Sequence, residues 1–224
     1  MNKIALITGA SRGIGYALAK KMLAENYLVI GTSRRGTITG IDDENFCSIK
    51  LDLSDFNNFD SSVKYISDKY GKIDILINNA GIGPDLGSLN PKMQSFDLTF
   101  NTNVKGIVFF TEKMLKLINT NGIILNISSK MGSINICELS DSVAYRMSKS
   151  ALNMYTKILS NRLKGVIKVA SIHPGWVKTT IVEDNMKHAP LTPKQSAENI
   201  FKCITRDFEN GTFWDSENNV QLSW

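Results

Sequence analysis

The chain has 224 residues, 42% of them hydrophobic and 21% charged; that is enough apolar material for one sizeable core, and it excludes a disordered chain. No apolar run reaches the roughly 18 residues of a membrane span, and the net charge of +5 comes from basic residues interleaved with acidic ones. That pattern lacks the basic stripe and aromatic platforms of a nucleic-acid binder.

The chain begins with Met1, Asn2 and Lys3 and passes straight into a short apolar run at 4–8, which predicts no secretory leader. Three cysteines, Cys47, Cys137 and Cys203, lie far apart and form no C-x-x-C pair. They predict free thiols in a reducing, cytoplasmic setting, with no structural metal. The run at 4–8 stops at glycine and reads as a buried parallel strand. The turn Gly9, Ser11, Arg12, Gly13, Ile14, Gly15 follows, and then an amphipathic stretch at 16–25 with Ala17, Leu18, Met22 and Leu23 on one side. Strand, glycine-rich turn and helix make the first unit of a dinucleotide-binding fold. The glycines let the backbone turn tightly and approach a pyrophosphate at the helix N-terminus.

A second strand at 27–32 runs into Ser33, Arg34 and Arg35. An NAD site places Asp or Glu there for the ribose 2′-hydroxyl; two arginines, with Arg12 nearby, suit a 2′-phosphate instead. NADP(H) is therefore the preferred cofactor and NAD(H) the lesser option. Residues 36–44 read as a loop where a doubly wound fold usually has a helix. A third strand at 46–51 ends at Asp52 and Leu53. Asp52 either accepts from an adenine amino group or caps the next helix, which opens at Ser54 or Asp55 and runs over 57–70.

A fourth strand at 73–77 closes on Asn78, Asn79, Ala80 and Gly81, two amides and two small residues against which a cofactor can lie. After a loop at 83–92, residues 96–118 are helical in pattern, interrupted by Asn101, Thr102 and Asn103. An amide on that face must bond a neighbouring turn or hold a buried water. A fifth strand at 123–127 ends in Ser128 and Ser129, and a hydroxyl at that edge can polarise a carbonyl oxygen.

The loop 130–142 leads into a helix carrying Tyr145 and Lys149, four apart and so on one face. An ammonium beside a phenol is expected to lower the phenol's pKa from about 10 toward working pH. Such a tyrosine can protonate a carbonyl oxygen or take a proton from an alcohol. A sixth strand at 166–172 gives way to an irregular turn from His173 to Thr179, with His173 extended before Pro174. A helix at 193–204 and a short strand at 211–214 complete the chain. The fold class is α/β: a single doubly wound Rossmann-type domain over 1–224, with a mainly parallel sheet of about seven strands.

These pieces together resemble the classical short-chain dehydrogenases/reductases over nearly the whole length. The matching residues are Thr8 and Gly9 with Gly13, Ile14 and Gly15; Asn78 to Gly81; Asn103; Ser129; Tyr145 with Lys149; and Pro174, Gly175 and Thr179. Residues 127–133, 145–149 and 173–177 are closest in wording to the C-factor-like branch. The resemblance implies Tyr145 as general acid/base. Lys149 would lower its pKa and bond the nicotinamide ribose, Ser129 would orient the substrate oxygen, and Asn103 would hold a water in the proton relay. It implies Gly9, Ser11, Arg12, Ile14 and Gly15 around the pyrophosphate and adenosine ribose, and Asp52 and Leu53 at the adenine. It implies Asn79, Ala80 and Gly81 at the adenosine half, and Pro174, Gly175, Val177 and Thr179 at the carboxamide. Partners are a small carbonyl or alcohol substrate and further copies of the chain, as dimer or tetramer; nucleic acid, membrane and metal are not expected.

Three departures stand out. Ser129 precedes Tyr145 by sixteen residues, where the commoner spacing of about thirteen lands on Gly132, so Ser128 and Ser133 stay open as alternatives. The helix between the second and third strands is missing. The segment 180–189 is short, which predicts a small lid and loose selectivity. Met93, Met131, Ile134, Ile136 and Trp176 are read either as an apolar pocket wall or as plain core. The function expected is an NADP(H)-dependent oxidoreductase acting on a carbonyl or alcohol; the alternative is a cofactor-binding signalling protein with little turnover.

Overall fold

The computed structural model describes residues 2–224. Seven parallel strands, β1 (Ile4–Ile7), β2 (Leu28–Ser33), β3 (Phe46–Lys50), β4 (Ile73–Asn78), β5 (Ile118–Ile127), β6 (Lys168–His173) and β7 (Thr212–Asp215), are joined by β8 (Val220–Gln221), antiparallel to β7. Their order is β3-β2-β1-β4-β5-β6-β7-β8. The chain reverses direction across the sheet between β1 and β4, and in such folds ligands bind in the crevice at the carboxyl ends of the strands there.

Parallel strands need crossovers, and helices supply them: α1 (Gly13–Ala24), α2 (Phe59–Tyr70), α3 (Met93–Phe100), α4 (Ile107–Met114), α5 (Val143–Arg162), α6 (Glu183–His188) and α7 (Pro193–Thr205). The strands are apolar on both faces, as a covered sheet requires. Leu6, Ile30, Leu76 and Ile124 pack with Phe59, Phe110 and Leu152 of α2, α4 and α5. Their sequence neighbours Ala5, Ile7, Val29, Ile77 and Leu125 pack on the opposite face with Leu18, Met22, Ile200 and Ile204 of α1 and α7. Each such Val, Leu, Ile, Met or Phe side chain contributes roughly 1.5–3 kcal/mol on full burial. A polar ladder crosses the core beneath the carboxyl ends of the strands. Asn78 donates to Asn126 at 2.8 Å, Asn126 to Thr156 at 2.8 Å, and Thr156 pairs with Ser171 at 2.8 Å. All four are fully buried, so the ladder fixes the mutual placement of β4, β5, β6 and α5.

The mainly parallel sheet of about seven strands is present, and a two-residue eighth strand is added where the chain turns back after Ser216. Three expectations need correction. The helix read over 96–118 is two helices joined by a widened π-type turn at Asn101–Gly106, and a single tight turn at Leu115–Leu117 ends it. The widening falls where Asn103 reaches sideways out of the helix. Residue 118 accordingly belongs to β5, where the Asn and Gly at 119–122 masked the strand's start. Helix α1 opens at Gly13, three residues before the amphipathic pattern becomes visible. The loop at 36–44 is a loop. It is fastened to α1 by the Tyr16 hydroxyl, which donates to the Gly40 carbonyl at 2.7 Å, and by Ile38 and Ile41 in the α1-side core. Among the described residues no helix is long and apolar enough to cross a membrane.

Candidate active site

The glycine turn is built for close approach of its own chain. Gly9 has φ +68°, and a Cβ there would lie 2.9 Å from Ala80 Cα; a Cβ on Gly15 would lie 2.4 Å from Asn79 Nδ2. Asn79 uses this closeness, donating from Nδ2 to the Thr8 and Gly9 carbonyls at 2.9 and 3.1 Å. The backbone amides of Asn79 and Ala80 both donate to Thr8 Oγ1 at 3.0 Å. The four-residue edge at 78–81 thus clamps the glycine turn. Helix α1 begins at this turn with Arg12 in the capping position and no side-chain cap, whereas α7 carries a full capping box from Thr192 and Gln195. Its first amides and its positive dipole end are left for an anion.

At the end of β2, Arg34 and Arg35 are exposed, as is Arg12, and none of the three forms an ion pair among the described residues. Ser33 is buried, and its hydroxyl donates to the Thr37 carbonyl at 3.0 Å. Asp52 accepts from the Ser54 amide and hydroxyl at 3.0 and 2.7 Å and closes a local turn, while the helical turn that follows is capped by Asp55, which accepts from the Asn57 amide at 3.1 Å. The Leu53 side chain lies in the core against α2 and α4. Ser11 is exposed in the turn. The uncapped helix start, the glycine cradle and the free arginines match the donor set that a dinucleotide with a 2′-phosphate needs.

A cavity of about 570 Å³ opens at the carboxyl ends of β1, β4, β5 and β6. Of the residues singled out in the sequence, Ile14, Asn79, Gly81, Ser129, Tyr145, Lys149, Pro174, Gly175, Val177 and Thr179 line it. The Ser196 hydroxyl donates to the Pro174 carbonyl at 2.7 Å and holds that floor in place. Asn103 stands behind the wall. Fully buried, it accepts from the Ile82 amide at 2.9 Å and donates to the Ile82 carbonyl at 2.8 Å and to Ser148 at 3.2 Å. Of its two sequence alternatives, the bond to a neighbouring turn is present.

Three serines competed for the place beside Tyr145. The Ser128 hydroxyl donates to Asn153 at 2.7 Å, and that of Ser133 to the Ser223 carbonyl at 2.8 Å. The Ser129 hydroxyl faces the Tyr145 phenol and favours its ionised form. Gly132, where the commoner spacing lands, is pressed flat on α5: a Cβ there would lie 2.6 Å from Lys149 Cβ. The longer loop at 133–142 supplies the extra residues.

The electrostatics correct one expectation. The Tyr145 phenol is pushed up to about 12, by burial first, with Ser129 pulling it down and Asp85 raising it. Lys149 does not lower it. Its ammonium lies 5.6 Å from the Tyr145 ring centroid and donates to the Ile127 carbonyl at 2.8 Å. Burial brings Lys149 itself down to about 8. Burial is the first cause for both groups, which line the same wall.

The outer wall is apolar, formed by Leu86, Met131, Ile136, Leu139, Trp176 and Ile181. Met131, Ile136 and Trp176 are therefore wall residues, while Met93 and Ile134 are 83% and 80% exposed and belong to neither the pocket nor the core. The Trp176 indole donates to Asn185 of α6 at 2.9 Å, tying the short lid to the wall. Sequence reading missed Leu86, Leu139, Ile181 and Asp85, whose loop positions carry no periodic signal. It also left His173 outside the site. That ring lines the cavity, its Nδ1 is without a partner, and burial holds it down to about 4.

The model of the short chain dehydrogenase family matches residues 3–190. The chain belongs to this family. Among the relatives of this short-chain dehydrogenase is the 3-oxoacyl-acyl-carrier-protein reductase of Buchnera aphidicola, 34% identical over 209 residues, covering 89% of this chain and 81% of that one. A farnesol dehydrogenase of Aedes aegypti is 30% identical over 222 residues, covering 90% and 89%. An oxidoreductase of Schizosaccharomyces pombe is 32% identical over 195 residues, and the match spans 65% of its length. Among solved structures, the carbonyl reductase Sniffer of Drosophila melanogaster superposes with a TM-score of 0.84 at 29% identity over the whole of both chains. An NADPH-bound carbonyl reductase from chicken fatty liver gives 0.88 at 25% identity, covering 100% of this chain and 94% of that one.

Proposed function

We propose that this short-chain dehydrogenase is an NADP(H)-dependent carbonyl reductase, or the corresponding alcohol dehydrogenase, for a small organic substrate with an apolar body. One observation carries the reading: Tyr145, Ser129 and Lys149 line the same cavity, and its wall continues through Ile14 and Asn79 to the glycine turn. The fly and chicken carbonyl reductases among its structural neighbours, the latter with NADPH bound, support the choice of reaction and cofactor. In this reading residues 1–224 act as one Rossmann-type domain.

NADPH, when bound, supplies the hydride. Gly9, Ser11, Arg12, Ile14 and Gly15 would hold its pyrophosphate, and Arg34 and Arg35, next to Ser33, its 2′-phosphate. Asp52 and Leu53 would border the adenine, and Asn79, Ala80 and Gly81 the adenosine half. Pro174, Gly175, Val177 and Thr179 would hold the carboxamide. Tyr145, neutral at working pH, donates its proton to the substrate oxygen, and Ser129 orients that oxygen. Lys149 would bond the nicotinamide ribose from the same wall, and Asn103 anchors the turn at Ile82 that backs the site. The apolar outer wall takes the substrate body and excludes water from the proton transfer.

The test is NADPH consumption over a panel of aldehydes and ketones, with Tyr145→Phe as control. The variant should lose roughly 10²–10⁴ in kcat/KM while binding NADPH as before. A chain that binds NADPH but turns over no member of the panel would refute the enzyme reading and favour the signalling alternative.

A further inference from the structure

Asp85 is a carboxylate that the proton-transfer scheme does not use. It sits in the loop after β4, only 4% exposed, and forms no ion pair among the described residues. Its partners are the start of α5, far away in sequence. Oδ2 accepts from the Ala144 amide at 2.7 Å, and the Tyr145 amide donates to Oδ1 and Oδ2 at 3.2 and 3.3 Å. Ser142, in the capping position, cannot do this work. It is left-handed at φ 57°, and its hydroxyl accepts from the Gly87 amide at 2.9 Å. The same loop touches the catalytic ring, since a Cβ on Gly83 would lie 3.1 Å from Tyr145 Cδ2.

A neutral side chain caps a helix about as well as a carboxylate does, as Asn and Ser show. Burying a charge with no cation beside it is costly. The charge, as distinct from the cap, therefore has a use. We propose that Asp85 is a positioning residue that fixes Tyr145 at the helix start and adds to burial in disfavouring its phenolate, so that alcohol oxidation, which starts from the phenolate, is slowed relative to carbonyl reduction near neutral pH. A bare helix N-terminus favours an anion on its first turn, where Tyr145 stands as the third residue of α5; the Asp85 charge opposes that pull. The other charged or titratable groups that line the cavity with the phenol are Lys149 on α5 itself and His173 at the end of β6. The loop 130–142 adds Lys130, Glu138 and Asp141, the last paired with Arg146 at 2.7 Å. None of these places a negative charge against the amide of Tyr145.

In reduction the carbonyl carbon gains the hydride, NADPH becomes NADP⁺, and the carbonyl oxygen takes the phenol proton. Tyr145 is left as phenolate and is reprotonated from solvent. Oxidation needs the phenolate at the outset. The preference for reduction rests on the carbonyl-reductase reading above; the state of the phenol does not.

The experiment compares wild type with Asp85→Asn and Asp85→Ser, each of which can still cap the helix. The 13C shift of Tyr145 Cζ, assigned with Tyr145→Phe, is followed from neutral pH upward, and both reaction directions are measured at neutral pH. The phenol of Asp85→Asn should ionise about half to one pH unit lower, and the ratio of kcat for oxidation to kcat for reduction, each at saturating substrate and cofactor, should rise about threefold. A phenol that ionises at the same pH in all three proteins overturns the proposal, as does loss of folded protein in both variants, which would leave Asp85 a cap alone. If no substrate is turned over, the reductase reading fails while the phenol titration still decides the role of Asp85.

Discussion

Replacing Lys149 with methionine should make the protein more stable at neutral pH and inactive. The ammonium is 4% exposed and donates to the Ile127 carbonyl, and burial lowers its pKa from 10.5 to about 8. The folded value lies below the unfolded one, so the unfolded chain holds the extra proton between pH 8 and 10.5, and stability rises with pH through that window. At about 1.4 kcal/mol per pH unit, the buried charge costs the fold about 3 kcal/mol at pH 7 and under 1 kcal/mol at pH 10. Methionine removes that cost, keeps the length of the side chain, and deprives Ile127 of a donor, a loss of about 1–1.5 kcal/mol. The variant should therefore gain about 1–2 kcal/mol at pH 7, roughly 4 °C in Tm, and fall to parity or below near pH 10. Tyr145 does not disturb this comparison. Its folded value of about 12 lies above the unfolded 10.0, so its contribution is lost only as pH rises beyond 10. Urea melts followed by circular dichroism at the two pH values give the answer. A variant less stable than wild type at pH 7, or a difference that does not change with pH, would show that the ammonium is not paying a desolvation cost.

Two further outcomes follow from the geometry. Arg34→Ala with Arg35→Ala should weaken NADPH binding by about tenfold or more, as expected for lost charge-assisted bonds of 1.5–3 kcal/mol, and leave NADH nearly unchanged; equal losses in a fluorescence titration would contradict the 2′-phosphate assignment. His173, neutral in the fold with its pKa lowered by burial from 6.5 to about 4, contributes stability that is intact above pH 6.5 and is lost as pH falls toward 4, up to about 3 kcal/mol. His173→Gln should flatten the acid limb of the urea midpoint, and an unchanged slope would remove His173 as its source.

Much of the fold was legible because its signals are local. The apolar runs of β1, β2 and β4 stop at Gly9, Ser33 and Asn78, and the glycine turn sits between a strand and a helix, so order and edge follow from punctuation. The Tyr145–Lys149 spacing was legible for the same reason. What escaped depends on contacts distant in sequence. The widened turn at Asn101–Gly106 is tied to Asn103 bonding Ile82, twenty-one residues away. The state of the Tyr145 phenol depends on how dry the finished wall is, and no pair spacing encodes burial. Asp85 acts across fifty-nine residues, and in a Gly-Pro-Asp loop a carboxylate looks like any turn residue. β8 is only two residues long, too short to show alternation.

The walls of the cavity differ in how freely they can be altered. Ile136, Leu139, Trp176 and Ile181 line the cavity, and none of them is a hydrogen-bond partner of Ser129 or Asp85, so variation there changes what fits without touching the groups around the proton donor. Leu86 adjoins Asp85, and a change at that wall displaces the start of α5. Laboratory evolution for a new substrate should therefore accumulate substitutions at 134–140, at Trp176 and at 180–186 and avoid 83–88, and the same asymmetry should appear as uneven sequence divergence among close descendants of this chain.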